Sequence, residues 1–187
     1  MANLRSTHPD SARMKDGVRA MLVVRNSLID GLGVFAQRDY AAAEVIAWID
    51  DSRIVDDEHP LLPGESAQHC DYLEAGRVVL MQEPERHINS SCDPSAYVRT
   101  VDGKRCVVAR RAIHSGDEIT CDYIIDCHGG RIWQCRCGSS RCRRTIVASF
   151  FDLPLEWQRE YLPLLNPWFV KEHDVRIQQL KRDLLEP

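Results

Sequence analysis

The sequence has no apolar run approaching the roughly 18 residues that a membrane-spanning helix needs. Its first residues, MANLRSTHPDSARMKDG, lack the apolar core of a secretory signal. Together these absences point to an intracellular chain, cytoplasmic or, in a eukaryote, nuclear, with a flexible polar start over residues 1–19. Excess positive charge is missing too: 24 Lys and Arg stand against 28 Asp and Glu, for a formal net charge of −4. No global field draws such a chain to nucleic acid. Aromatics are only 7 % of the residues, and no compositional bias suggests a fibre, a repeat array or a mainly disordered chain. With 44 % hydrophobic residues in 187, the chain suits one domain with a sizeable core and at most an appendage.

Cysteine is the residue present in excess. Of the eight cysteines, seven fall between Cys92 and Cys142, and Cys70 stands apart. Without a secretion signal, that crowding favours metal over disulfides. Cys135, Cys137 and Cys142, in WQCRCGSSRC, place three thiolates where a tight turn can gather them, and a closed structural zinc site wants a fourth donor. By sequence alone the fourth stays open among Cys92, Cys106, Cys121, Cys127, His114 and His128.

Short strand patterns dominate the first two thirds. Met21–Arg25 and Glu44–Ile49 are β-branched or aromatic runs around a glycine turn, and Asp51–Gly64 reads as an acidic loop. GRVVLMQ, AYVRTV, KRCVVARRAI and DEITCDYI follow, with VDGK and HSGD as tight turns. After the cysteines the pattern becomes helical. Asn166-Pro167 is a start signal, Asn as a cap for a free helix amide and Pro at the first position. Val170, Ile177, Leu180 and Leu184 then share a face. One or two helices are expected, with Trp157, Tyr161, Trp168 and Phe169 as packing residues.

Four segments occurring in order, GLGVFA from Gly31, HINSSCDPSA around Asn89, GDEITCDY ending at Tyr123, and CRCGSSRCR, resemble the SET-domain protein lysine methyltransferases that carry a post-SET zinc cluster. The likeness spans about residues 20–147. It implies a mainly β fold of small curved sheets, with a knot-like crossing of INSSC and ITCDY, a zinc clip and a C-terminal helical appendage. The corresponding division is a SET domain over 20–130, a post-SET segment over 131–147 and an appendage over 148–187. It also implies a structural Zn2+ held by Cys92, Cys135, Cys137 and Cys142, and S-adenosylmethionine as cofactor.

In the resembled family the Gly31, Leu32 and Gly33 turn lies against the methionine part of that cofactor, and Asn89 and Ser90 contact it. Tyr72 and Arg86, with Trp133, are candidates for its wall, and Ile146 for an apolar cover on the adenine ring. Tyr123 takes the place of the catalytic tyrosine. Apart from the likeness, a strand-end tyrosine is ordinary packing and Asn89 an ordinary cap. The chemistry suits a tyrosine, because lysine must attack as a neutral amine although its free pKa is about 10.4. A desolvating channel lowers that value, and a hydroxyl then aligns the amine with the methyl.

Several residues depart from the family pattern. Ser90 stands for the usual histidine, Ser95 for asparagine, and Trp48 and Asp50 for tyrosine and glycine. Cys121 lines the expected substrate channel in place of a bulky aromatic, which leaves room for multiple methylation. The expected partner is a protein or peptide lysine, basic and histone-like if the acids over residues 50–58 dock it. Two rival readings accompany this one: a non-catalytic SET fold binding a peptide or partner, and a zinc-stapled nucleic-acid module built on Arg136, Arg141, Arg143 and Arg144.

Overall fold

The computed structural model describes residues 21–185, and the expected flexible start lies outside them. Eleven short strands among these residues form four small sheets, followed by a helical C-terminal segment. β1 (Leu22–Asn26) and β2 (Leu32–Ala36) make a hairpin closed by Ser27 N–H donating to Gly31 O at 2.9 Å. β2 also pairs with β9 (Glu118–Cys121), and β9 pairs in parallel with β6 (Asn89–Ser90). This parallel pair puts INSSC beside ITCDY, with Asn89 opposite Thr120 and Ser90 opposite Cys121.

A second sheet has β8 (Lys104–Ala109) between β3 (Val45–Trp48) and β7 (Ala96–Val101). The turn joining β7 to β8 has Asp102 and Gly103 at φ +49° and +73°, the mirror-image turn that matches strand twist. β4 (Cys70–Tyr72) and β5 (Val78–Leu80) form a small hairpin, as do β10 (His128–Gln134) and β11 (Thr145–Ser149). The β10–β11 loop carries Cys135, Cys137 and Cys142.

Three short helices follow: α1 (Leu155–Tyr161), α2 (Pro167–Glu172) and α3 (Asp174–Asp183), one more than the periodicity suggests. α2 begins at Pro167 as expected, yet Asn166 does not cap it through its side chain. Instead Asn166 Oδ1 accepts from Thr100 N at 2.7 Å, and its Nδ2 donates to Asp126 Oδ2 at 2.6 Å and to Val98 O at 3.3 Å. Tertiary partners have replaced the local one.

Two principal cores result. One gathers Val34, Ile46, Val107, Ile119 and their neighbours between the sheets. The other packs Cys92, Ile124 and Ile146 against Phe150, Trp157, Tyr161, Phe169 and Ile177. The first rests on strand pairing. The second joins the cysteine loop to the helical segment.

Candidate active site and metal centre

The first cluster of site residues grows from the β1–β2 turn. Gly31 has φ +42°, a left-handed value that glycine adopts without the Cβ penalty. Gly33 has another reason to be glycine: a Cβ there would meet Glu118 Cδ at 2.9 Å and Ser27 Cβ at 3.0 Å. The Glu118 carboxylate is fixed in that space. Ser27 Oγ donates to it at 2.8 Å, and Asn89 Nδ2 donates to Glu118 Oε1 at 2.9 Å. The Asn89 amide also reaches Leu32 O at 3.0 Å and Asp30 O at 3.2 Å, so it ties β6 to the glycine turn.

Ser90, the next residue, places Oγ 3.4 Å from the backbone N of Tyr123 as acceptor. Tyr123 follows β9 by two residues and keeps 52 % of its surface exposed, while its hydroxyl donates to Ile88 O at 2.6 Å. Burial of the phenol end, and then the charges of Asp71 and Asp30, hold its pKa above the usual tyrosine range, so Tyr123 stays protonated. Burial likewise pushes the Cys121 thiol up to about 12, leaving a small neutral side chain beneath the tyrosine. Gly31, Leu32, Gly33, Asn89, Ser90, Cys121 and Tyr123 are thereby brought together.

The other expected wall residues stand on separate elements. Tyr72 is 64 % exposed on the β4–β5 hairpin. Arg86 pairs with Glu83 and donates to His87 Nε2 at 3.3 Å. Ile146 is 2 % exposed within the second core, opposite Trp133 in the β10–β11 pairing. It borders a cavity of about 210 Å3 whose other walls include Ile124, Arg143, Thr145, Val147 and Leu153.

The second cluster is the sulfur set. Cys92, from the turn after β6, meets Cys135, Cys137 and Cys142, with all four Sγ atoms within 4.8 Å of one another. Cys92 and Cys135 Sγ are 3.7 Å apart. Tetrahedral zinc with bonds of about 2.3 Å spaces its sulfurs by about 3.8 Å, so the donor set fits that ion. Burial raises the Cys92 and Cys135 thiols, whereas Cys137 is drawn down to about 7 because the amides of Cys92 and Ser139 outweigh burial. Four such groups become thiolates together only with a cation among them.

Two of the four arginines around this cluster, Arg141 and Arg143, are engaged within the protein. Arg143 N–H points to Cys92 Sγ at 3.4 Å, and Arg143 Nη2 donates to Asp122 Oδ2 at 2.6 Å. Arg141 makes a forked pair with Glu160, and both guanidinium groups lie over the Trp157 ring, at 4.2 Å for Arg141 and 4.9 Å for Arg143. The nucleic-acid reading loses these two as free cations. Two acids of the segment over residues 50–58 are similarly occupied: Asp51, together with Asp71, clasps buried Arg105, while Asp56 caps its own turn and pairs with His59.

Asp122 and Asp126 are residues that sequence reasoning missed. The Asp122 side chain, 0 % exposed, accepts from Arg143 and from Tyr161 Oη at 2.9 Å. Asp126 accepts from the backbone and side-chain nitrogens of Asn166. Their partners lie 21 to 40 residues away, and no local spacing announces such pairs.

Residues 31–124 match the SET domain family. The chain is 39 % identical over 61 residues to a histone-lysine N-methyltransferase, H3 lysine-36 specific, of Debaryomyces hansenii, covering 30 % of this chain and 8 % of that protein. It is 34 % identical over 128 residues to a protein of the same name from Eremothecium gossypii, covering 60 % of this chain and 18 % of the relative. Against histone-lysine N-methyltransferase trithorax of Drosophila virilis, identity is 41 % over 65 residues, 33 % of this chain and 2 % of the relative. The chain therefore spans less than a fifth of each of these relatives. Its matched stretch covers half of its own length and runs from the glycine turn through Asn89 to Tyr123, and on that ground the chain belongs to the SET-domain family.

Proposed function

We propose that this chain methylates the side-chain amine of a protein lysine, with S-adenosylmethionine as donor. The observation carrying this reading is the convergence, within a SET-family segment, of the Gly31 turn with Asn89 and of neighbouring Ser90 with the backbone N of Tyr123. When bound, S-adenosylmethionine supplies a sulfonium methyl to a neutral amine, and zinc supplies a cross-link with no open coordination position.

The residues suit that donor by their chemistry. Carbonyls of Asp30 and Leu32 face inward on Asn89, which fixes the glycine turn beside β6. Ser90 carries a hydroxyl where the family has an imidazole, so it keeps a hydrogen-bonding atom at the turn while shortening its reach. The Ile146 cavity, with Arg143 Nε and Nη1 buried and unpartnered among the described residues at its edge, supports the assignment of the adenine ring to this side.

Tyr123 acts as a neutral hydroxyl. Held by Ile88 O, it orients the lone pair of the incoming amine, and desolvation of the bound lysine disfavours its ammonium. Cys121, small and un-ionised, leaves space for an amine already carrying methyl groups. Cys92, Cys135, Cys137 and Cys142 hold the metal, which fastens the β10–β11 loop to the turn following Asn89. The names of the relatives favour a basic, histone-like substrate, and with it a nuclear location if the source is eukaryotic.

The test uses labelled S-adenosylmethionine with core histones and with a cell lysate, on wild type and Tyr123→Phe. Lysine-borne label that falls about a hundredfold or more in the variant is expected. Calorimetry that detects no binding of the donor to the zinc-loaded protein would instead favour the partner-binding reading.

A further inference from the structure

The turn that presents Tyr123 is short and bounded by two acids. Asp122 precedes the tyrosine and Asp126 closes the turn, with Ile125 N donating to Asp122 O at 3.1 Å and Cys127 N to Ile124 O at 3.0 Å. Asp126 sits at φ +67°, a left-handed value that a non-glycine residue holds only when its surroundings impose it. Each acid is gripped from the helical segment. Tyr161, at the end of α1 and fully buried, donates to Asp122 Oδ2 at 2.9 Å. Asn166, just before α2, donates its backbone N to Asp126 Oδ1 at 2.7 Å and its side-chain N to Oδ2 at 2.6 Å.

These grips are themselves anchored. Asn166 is stitched to β7 through Thr100 N and Val98 O, so Asp126 cannot shift without moving a strand of the second sheet. Tyr161 Oη lies 3.5 Å from Cys92 O, and Asp122 has its second grip in Arg143 from the cysteine loop. The SET match ends at Tyr123's neighbour, residue 124, so Asp126, Tyr161 and Asn166 all lie beyond it. Within the matched stretch Tyr123 is held through its own hydroxyl on Ile88 O and its backbone N on Ser90.

We infer that Tyr161 and Asn166 are positioning residues, which set the orientation of Tyr123 by clamping the two acidic ends of its turn. The inference rests on the methyltransferase reading for its kinetic consequence, though the clamp itself does not. Alignment is the main service a neutral hydroxyl performs, and misplacement by about 1 Å costs up to roughly a hundredfold in rate. Loosening either end is therefore expected to lower kcat while leaving donor and acceptor binding, made elsewhere, nearly intact.

Tyr161→Phe removes one hydroxyl and keeps the ring, and Asn166→Ser removes the side-chain grip on Asp126. Ile177→Val, a trim of the same core that touches neither acid, is the control for general loosening. Zinc-loaded full-length protein is labelled at tyrosine Cζ with 13C, and the Tyr123 resonance is assigned by its loss in Tyr123→Phe. Both clamp variants are expected to move or broaden that resonance and to lower kcat roughly tenfold to a hundredfold, with KM and donor affinity within about twofold. Ile177→Val is expected to lower the melting temperature and leave the resonance in place. An unmoved Tyr123 resonance in a folded clamp variant, or an equal shift in Ile177→Val, overturns the inference; should one clamp variant fail to fold, the other decides. If the wild type transfers no methyl at all, the functional reading falls, and the resonance still settles the clamp.

Discussion

The two main cores of this protein are held by different means. Between the sheets, Val34, Val107 and Ile119 are fully buried aliphatics on paired strands, and each strand hydrogen-bonds its neighbour. In the C-terminal core the chain has little sheet to rely on. It uses sulfurs, rings stacked edge to face, and buried polar joints at Asp122, Tyr161 and Asn166. Apolar burial tolerates repacking, whereas a buried acid or a four-sulfur site loses its stability when a single partner goes. The site lies where these two constructions meet: Tyr123 leaves a strand of the first and enters a turn owned by the second.

The largest test of that contrast is metal removal. With zinc in the four-sulfur site as proposed, Cys92→Ser, or a strong chelator acting on wild type, is expected to cost more than about 4 kcal/mol, because structural zinc contributes folding energy directly. Thermal unfolding followed by tryptophan fluorescence reads it, since Trp157 lies in the affected core. Ile119→Ala should cost about 2–5 kcal/mol in the sheet core, and its increment should be the same with and without chelator. An increment that vanished on chelation would show one cooperative core in place of two supports.

Acidity probes a single joint. Burial raises Asp126 to about 6, although the Asn166 amides pull the other way. The native state thus holds this proton more tightly than the unfolded chain, and the associated stability is greatest below about pH 4 and declines as pH rises to about 6. Asp126→Asn removes the decline. Relative to its own value at pH 4, the variant should gain up to about 3 kcal/mol on wild type by pH 7, measured by urea unfolding across that range. The smallest effect belongs to Glu160→Gln, which weakens partly exposed pairs with Arg110 and Arg141 and should cost under about 1 kcal/mol, least at high salt.

Legibility in the sequence followed the same divide. AYVRTV marks β7 with its own bounds, and VDGK forms the turn its residues suggest, because period-two patterning and turn chemistry are local signals. β2 was hidden by Gly31 and Gly33, which read as a turn, and β10 by Gly129 and Gly130. The cysteine set needed the resemblance: spacing named three sulfurs and left Cys92, 43 residues before Cys135, among several candidates, whereas the fold brings it to them. Asp122 and Asp126 were silent. Asn166 looked like a helix cap because capping is the local use of asparagine, and the approach of β7 and of Asp126 gives it other work.

The carboxylate lodged over Gly33 ties two distant codons to each other. With Ser27 and Asn89 anchoring Glu118, an added methyl at residue 33 must push that carboxylate off its partners. A shorter side chain at residue 118 would remove that clash. Those two positions should therefore change in concert or stay still.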